Sequence, residues 1–203
     1  MKSIKISTKC LPFYIALIGS IFLGLSGCAF IYPPSGSGLS NPLFIAVGRV
    51  IVKLDQNNHS ARFRWVSSRS EQEVLLFTTL GGTVAKINVK NRNFSIMDSS
   101  GKLFRARSSE DLMMEVLGWS IPVTGLKHWL IGEVNPLENV DNLVLDELGR
   151  ISSLKQGEWS ISYTTYKKNS PYPKKIRLVS GELSLKIVID KWLVENYKYA
   201  KKN

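Results

Sequence analysis

The side chains best suited to nucleophilic or metal chemistry are few: Cys10, Cys28, His59 and His128. Neither histidine sits at ligand spacing from a Cys, His or carboxylate cluster, so no metal site is expected. No Gly-x-Ser-x-Gly turn and no phosphate-cradling Gly-x-x-x-x-Gly-Lys-Ser/Thr loop occurs, and Ser, His and Asp fall at no spacing that favours a triad. Glu110-Asp111 follow Ser108-Ser109 and read as the acidic first turn of a helix, where carboxylates meet the positive end of the helix dipole. No catalytic residue and no cofactor is therefore expected. One thiol stands apart. Cys28 closes an uncharged apolar run from Leu11 to Leu25, which follows Lys2, Lys5 and Lys9. A basic start, an apolar middle and small residues before a cut make the secretory pattern, and the run is short of the ~20 residues a spanning helix needs.

The tetrad Leu25-Ser26-Gly27-Cys28 resembles the bacterial lipobox. The resemblance implies diacylglycerol on the Cys28 sulfur, cleavage before it and acylation of the new amino terminus. Each buried CH₂ of those chains adds ~0.8 kcal/mol of membrane affinity, so several chains anchor firmly. Ala29 follows the cysteine; in enteric-type sorting an Asp there favours inner-membrane retention, so its absence implies the outer membrane, facing the periplasm. Cys10 leaves with the signal and Cys28 carries lipid, which leaves no thiol for a disulfide. Three parts are expected: a removed signal, 1–27; a lipidated terminus and flexible tether, 28–42, with Pro33, Pro34, Gly36, Gly38 and Pro42; and one domain, 43–203, large enough for its own core. The formal net charge is +11, and the net falls to +8 once the three signal lysines are gone. Such a balance suits anionic surfaces or an acidic partner; nucleic acid is not expected in that compartment.

Beyond the tether the pattern is β. Phe44–Leu54, Ser60–Ser67, Val74–Thr79, Thr83–Lys90, Phe94–Asp98 and Lys102–Arg107 are short runs, several alternating, separated by turn clusters. This predicts an antiparallel meander with one wet face. At Ser108 the period changes: Leu112, Met113, Val116 and Leu117 predict a helix closed by Gly118, and a second short helix is predicted over Thr124–Ile131. Strands then resume around Val144, Ile151, Trp159–Lys167, Lys175–Val179 and Leu183–Asp190. The expected fold is mainly β with a helical insert: about eleven antiparallel strands curled into an incomplete, unclosed barrel, with two helices after the sixth covering its apolar face.

Several stretches, in order, resemble the LolB family of outer-membrane lipoprotein acceptors of Gram-negative bacteria. They are Gly48-Arg49-Val50, Ala61-Arg62-Phe63-Arg64-Trp65, Leu80-Gly81-Gly82-Thr83 and Gly118-Trp119-Ser120-Ile121-Pro122-Val123. Leu126-Lys127-His128-Trp129-Leu130-Ile131-Gly132, Gln156-Gly157-Glu158-Trp159 and Ile187-Val188-Ile189-Asp190-Lys191-Trp192 follow. The resemblance implies a hydrophobic cavity that takes the acyl chains of lipoprotein cargo from a soluble periplasmic carrier, LolA, and delivers that cargo into outer-membrane phospholipid, without nucleotide or metal. A monomer is expected.

Apolar walls with few polar fixings suit an acyl chain. Phe63, Trp65, Trp119, Ile121, Leu126, Trp129, Leu130, Trp159 and Ile187 could supply them, and Met113 is flexible enough to adapt to chains of varied shape. For each, packing in a solid core is the competing role. Leu80 falls in a connection beside Gly81-Gly82; the resemblance implies a protruding loop whose leucine touches the membrane. One leucine contributes only about 1.5–3 kcal/mol of burial, enough to orient the mouth but not to anchor. A site using the whole burial energy of several acyl chains would never release them, so closed helices must oppose binding. The alternative is a lipid-anchored structural or sensor protein that binds a protein partner and has no lipid cavity. A lipid hydrolase is disfavoured by the absent motifs.

Overall fold

The computed structural model describes Leu39, residues 41–91 and residues 93–195. Cys28 and most of the expected tether lie outside the described residues. Six strands come first: β1 (Phe44–Leu54), β2 (Asn57–Ser67), β3 (Glu71–Phe77), β4 (Thr83–Lys90), β5 (Asn93–Asp98) and β6 (Leu103–Ala106). Two helices follow, α1 (Ser109–Leu117) and α2 (Val123–Leu130). The chain then adds β7 (Asn142–Leu145), β8 (Ile151–Gln156), β9 (Trp159–Tyr166), β10 (Pro173–Ser180) and β11 (Leu183–Glu195).

All eleven strands form one sheet in the order β6-β5-β4-β3-β2-β1-β11-β10-β9-β8-β7, and every neighbouring pair is antiparallel. No ladder joins β6 to β7, so the expected open barrel is what forms. Alternation decides which face turns inward. Phe63 and Trp65 on β2, Val74 and Leu76 on β3, Ala85 and Ile87 on β4, and Leu185 and Ile187 on β11 are all buried in one core with the helices. A sheet this wide relieves its twist by curling, and the helices fill the hollow.

Gly48 marks where the two halves meet. It pairs with Phe63 on one side and Ile189 on the other, beside an irregularity in the β1–β11 ladder. A Cβ there would sit 2.2 Å from the Val188 carbonyl oxygen and 2.9 Å from the Phe63 ring. Only glycine lets the ring lie flat over the strand.

Helix α1 begins as its sequence dictates: the Ser108 side chain accepts from the Asp111 N–H, and Gly118 closes it at φ 78°. Its Leu112 and Met113 are buried where it packs against β5 and β6. Helix α2 is pinned more firmly. Tyr163 Oη donates to the Trp129 carbonyl at 2.9 Å, the Trp129 indole N–H donates to Gln156 Oε1 at 2.9 Å, and Lys127 Nζ donates to the Ser68 carbonyl at 3.4 Å. Among the described residues, no side-chain hydrogen bond ties α1 to the sheet.

Several boundaries differ from expectation. β2 starts at Asn57, inside the expected turn cluster, because Asp55 at φ 52° completes the reversal in two residues. β3 spans Glu71–Phe77 rather than Val74–Thr79, since Thr78 already belongs to the turn. β11 runs on to Glu195, past the end of the clean alternation at Asp190, because β1 continues to offer it a ladder.

Candidate functional site

Between the sheet and the two helices lies an apolar void of about 60 Å³. Eight of the ten expected cavity residues border it: Phe63, Trp65, Met113, Trp119, Ile121, Leu126, Leu130 and Ile187. Strands and helices contribute together, for Phe63 and Trp65 point inward from β2 while Met113, Leu126 and Leu130 come down from α1 and α2. The other wall residues are Val50, Val74, Leu76, Ile87, Val123 and Leu185. They were missed as site residues: Val50, Ile87 and Leu185 share the alternation that marks Phe63, whereas Val74 and Leu76 lie in a run apolar on both faces and Val123 opens a helix. All fourteen are aliphatic, aromatic or methionine, so a chain placed there would meet no charged or hydroxylic side chain. By the same measure one water needs about 10–15 Å³, so the void has room for a few waters and not for an acyl chain.

Trp129 and Trp159 do not border this void. They lie against each other, ring centroids 5.9 Å apart and planes tilted by 43°, in the wall of a neighbouring open cleft of about 660 Å³. The reason is the polar anchor beneath them. Gln156 accepts from the Trp129 indole and from the Asn135 N–H at 2.8 Å, and its amide donates to the carbonyls of Asn135 at 2.9 Å and Glu138 at 3.0 Å. All its hydrogen-bonding capacity is used, as burial demands. That network turns Trp129 toward β8 and β9. Trp119, half-buried in the link between the helices, borders both spaces.

The cleft lies at the rim formed by the β8–β9 and β10–β11 turns and the end of β1. Antiparallel connectivity puts the β3–β4 turn at the same end of the sheet. There Leu80 is 98% exposed. The turn is built by Thr78, whose N–H donates to the Gly82 carbonyl and whose Oγ1 accepts from the Gly82 N–H at 3.1 Å. Gly81 at φ 93° supplies the left-handed step that other residues resist. Among the described residues nothing covers the leucine on its hairpin.

Ionisable groups near the site are few. Glu182, in the β10–β11 turn, has its carboxyl held above the usual range by a hydrogen bond to and repulsion from Asp55. Burial pushes the Tyr163 hydroxyl up and raises Tyr166 to about 12. Tyr166 donates to the Ile151 carbonyl and carries the Arg150 guanidinium over its ring at 4.2 Å. These are structural tyrosines. Trp192 lies against Tyr172 at 4.9 Å and donates to the Pro173 carbonyl. Among the described residues no group of three His, Cys, Asp or Glu could hold a metal ion, and no helix is long and apolar enough to cross a membrane.

The family model described as outer membrane lipoprotein LolB matches residues 44–192. The chain belongs to the LolB family. Its relatives include outer-membrane lipoprotein LolB of Francisella tularensis subsp. tularensis, 32% identical over 73% of each chain. That of Nitrosomonas europaea is 27% identical over 76% of this chain and 74% of its own. That of Shewanella sp. strain MR-4 is 27% identical over 95% of this chain and 94% of its own. Among solved structures, a LolA superfamily protein from Nitrosomonas europaea aligns over 75% of this chain and 87% of its own, with a TM-score of 0.48 and 9% identity. As a LolB-family protein the chain is a lipid-anchored outer-membrane lipoprotein of the lipoprotein-trafficking class.

Proposed function

We propose that this LolB-family protein accepts acylated lipoproteins from a LolA-like periplasmic carrier and inserts them into the outer membrane. The acyl chains occupy the space between the sheet and helices α1 and α2, Cys28 carries the protein's own lipid, and Leu80 dips into the phospholipid leaflet during release. The observation that carries the reading is the void itself, whose fourteen apolar wall residues come from both the sheet and the helices.

The small volume of the hollow fits a site that lets its cargo go. Opening it separates Met113, Leu126 and Leu130 from the sheet, and that loss offsets part of the ~0.8 kcal/mol gained per CH₂ buried. Only the difference in affinity between open and closed forms drives loading. Cargo then passes from weaker to stronger apolar surroundings without fuel.

The test is transfer from loaded carrier. Purified protein mixed with carrier–lipoprotein complex should take up the cargo, and vesicles added afterwards should receive it. Failure to take cargo from the carrier ends the acceptor reading. The small size of the void also favours a second reading, a solid-cored envelope protein that binds a protein partner. Saturable binding of a fluorescent fatty-acid probe, displaced by an acylated peptide, excludes it.

A further inference from the structure

On the outer face of the sheet, away from the apolar void, β4, β5 and β6 carry a cleft of about 520 Å³. The ladder sets Asn88, Ser95 and Arg105 in one row across the three strands, with Lys90 and Asn93 paired beside it, and Arg107 follows just past the end of β6. All six line the cleft, and no carboxylate does. Strand alternation explains the grouping: Val89, Phe94 and Ile96 turn into the core, so the residues between them turn out. Several other cations of this face are neutralised. Asp190 binds Arg49 at 2.9 Å, Glu73 binds Lys86 at 2.8 Å and Glu71 binds Lys90 at 2.7 Å. Arg105 and Arg107 are exposed and, among the described residues, enter no salt bridge.

Such a donor set suits an oxyanion. Arginine forks match phosphate oxygens, and the asparagine amides and the Ser95 hydroxyl add neutral donors. Place in the fold selects which phosphate. The cleft lies at the end of the sheet where β4 ends and β1 begins, and Phe44 there is the first strand residue after the tether to Cys28. Met97 and Leu103, paired across β5 and β6 on the face that carries Arg105, are exposed and extend the surface with apolar area. Cations beside exposed apolar side chains fit the boundary between headgroups and acyl chains. We propose that this cleft binds the phosphate of anionic phospholipid headgroups in the leaflet that holds the protein's own anchor.

An acidic protein surface fits less well, because its carboxylates would engage the two arginines and leave the amide and hydroxyl donors and the apolar flank without a role. The proposal needs only the outer-membrane location and does not rest on the acceptor reading. It does bear on orientation. Leu80 and the rim cleft lie at the opposite end of the sheet. Headgroup binding therefore turns that rim toward the periplasm, and it alternates with any contact of Leu80 with the leaflet.

The unlipidated chain from Ala29 keeps the whole hydrophobic core, whose residues run from Phe44 to Trp192, and so folds without its anchor. Its flotation is measured with vesicles of phosphatidylcholine, alone or mixed with phosphatidylglycerol. The mixed vesicles should bind it at least roughly ten-fold more tightly at low salt, and high salt should weaken that gain. Arg105→Glu with Arg107→Glu should abolish the gain, and Arg105→Gln with Arg107→Gln should lose most of it. Lys155→Glu with Lys175→Glu reverses two exposed cations on the other half of the sheet and should keep most of the gain; Leu80→Asp should keep all of it. Equal binding to the two vesicle types, or equal loss from the arginine and lysine reversals, overturns the site in favour of diffuse attraction by net charge. Release from the vesicles by inorganic phosphate at constant ionic strength assigns the cleft to free phosphate and overturns the headgroup reading. Cargo uptake from loaded carrier by the arginine variants should stay at the parent level, so this proposal and the acceptor reading fail separately.

Discussion

At the scale of single residues, Leu80 and Gln156 make opposite demands. Leu80 touches almost nothing in the fold, so Leu80→Asp should leave the unfolding midpoint within about 1 °C of the parent. Cargo should still leave the carrier, but its arrival in vesicles should fall several-fold, as followed by flotation. Gln156 is needed by its neighbours. Gln156→Leu would strand the Trp129 and Asn135 N–H groups and two carbonyls, and each buried orphan costs about 1–3 kcal/mol. A loss of about 3 kcal/mol in urea unfolding is expected. The wall residues Phe63, Trp65, Leu126 and Leu130 were legible because period-two and helical spacing both expose an apolar face. Gln156 was not, although it stands in the quoted stretch Gln156-Gly157-Glu158-Trp159, because a polar residue at a strand end reads as solvated. The arginine cleft was equally hidden. Asn88, Ser95 and Arg105 belong to separate strands that only the ladder brings into one row.

At the scale of elements, the two helices differ in how they are held. α2 is fastened by hydrogen bonds to Tyr163, Gln156 and Ser68, whereas α1 is held by packing, with Ser109, Leu112 and Met113 buried and Val116 and Leu117 half-buried against the core. Hydrogen exchange should therefore find α1 amides opening at least about ten-fold faster than those of α2. Met113→Ala removes part of what keeps α1 down. It should lower stability by about 2–4 kcal/mol, yet strengthen fatty-acid binding, because the closed form loses more packing than the loaded one. Weaker binding in that variant would mean that Met113 serves the ligand more than the closure. The order of elements was legible, with two helices inserted after six strands, because the change of period at Ser108 is abrupt. Strand ends were less so: the Asn57 start of β2 and the last turn of the β11 ladder depend on partners across the sheet, which local alternation does not record.

At the scale of the whole molecule, the sheet consists of two meanders joined where β1 meets β11. Phe44 pairs across to Glu195 and Lys53 to Ser184, so the joint is the longest-range pairing in the fold. Gly48→Ala strikes it directly, pressing a methyl into the Val188 carbonyl and the Phe63 ring. Overpacking of this kind should cost about 3 kcal/mol, and calorimetry should show a single lowered transition, since both meanders share one core. The same joint sets a timetable. A polypeptide that threads through an export channel amino end first delivers β1 early and β11 late. Until the final strand arrives, β1 has an unmatched edge and the greasy hollow has half its walls, so the nascent molecule is most vulnerable to aggregation just before its synthesis and export are complete.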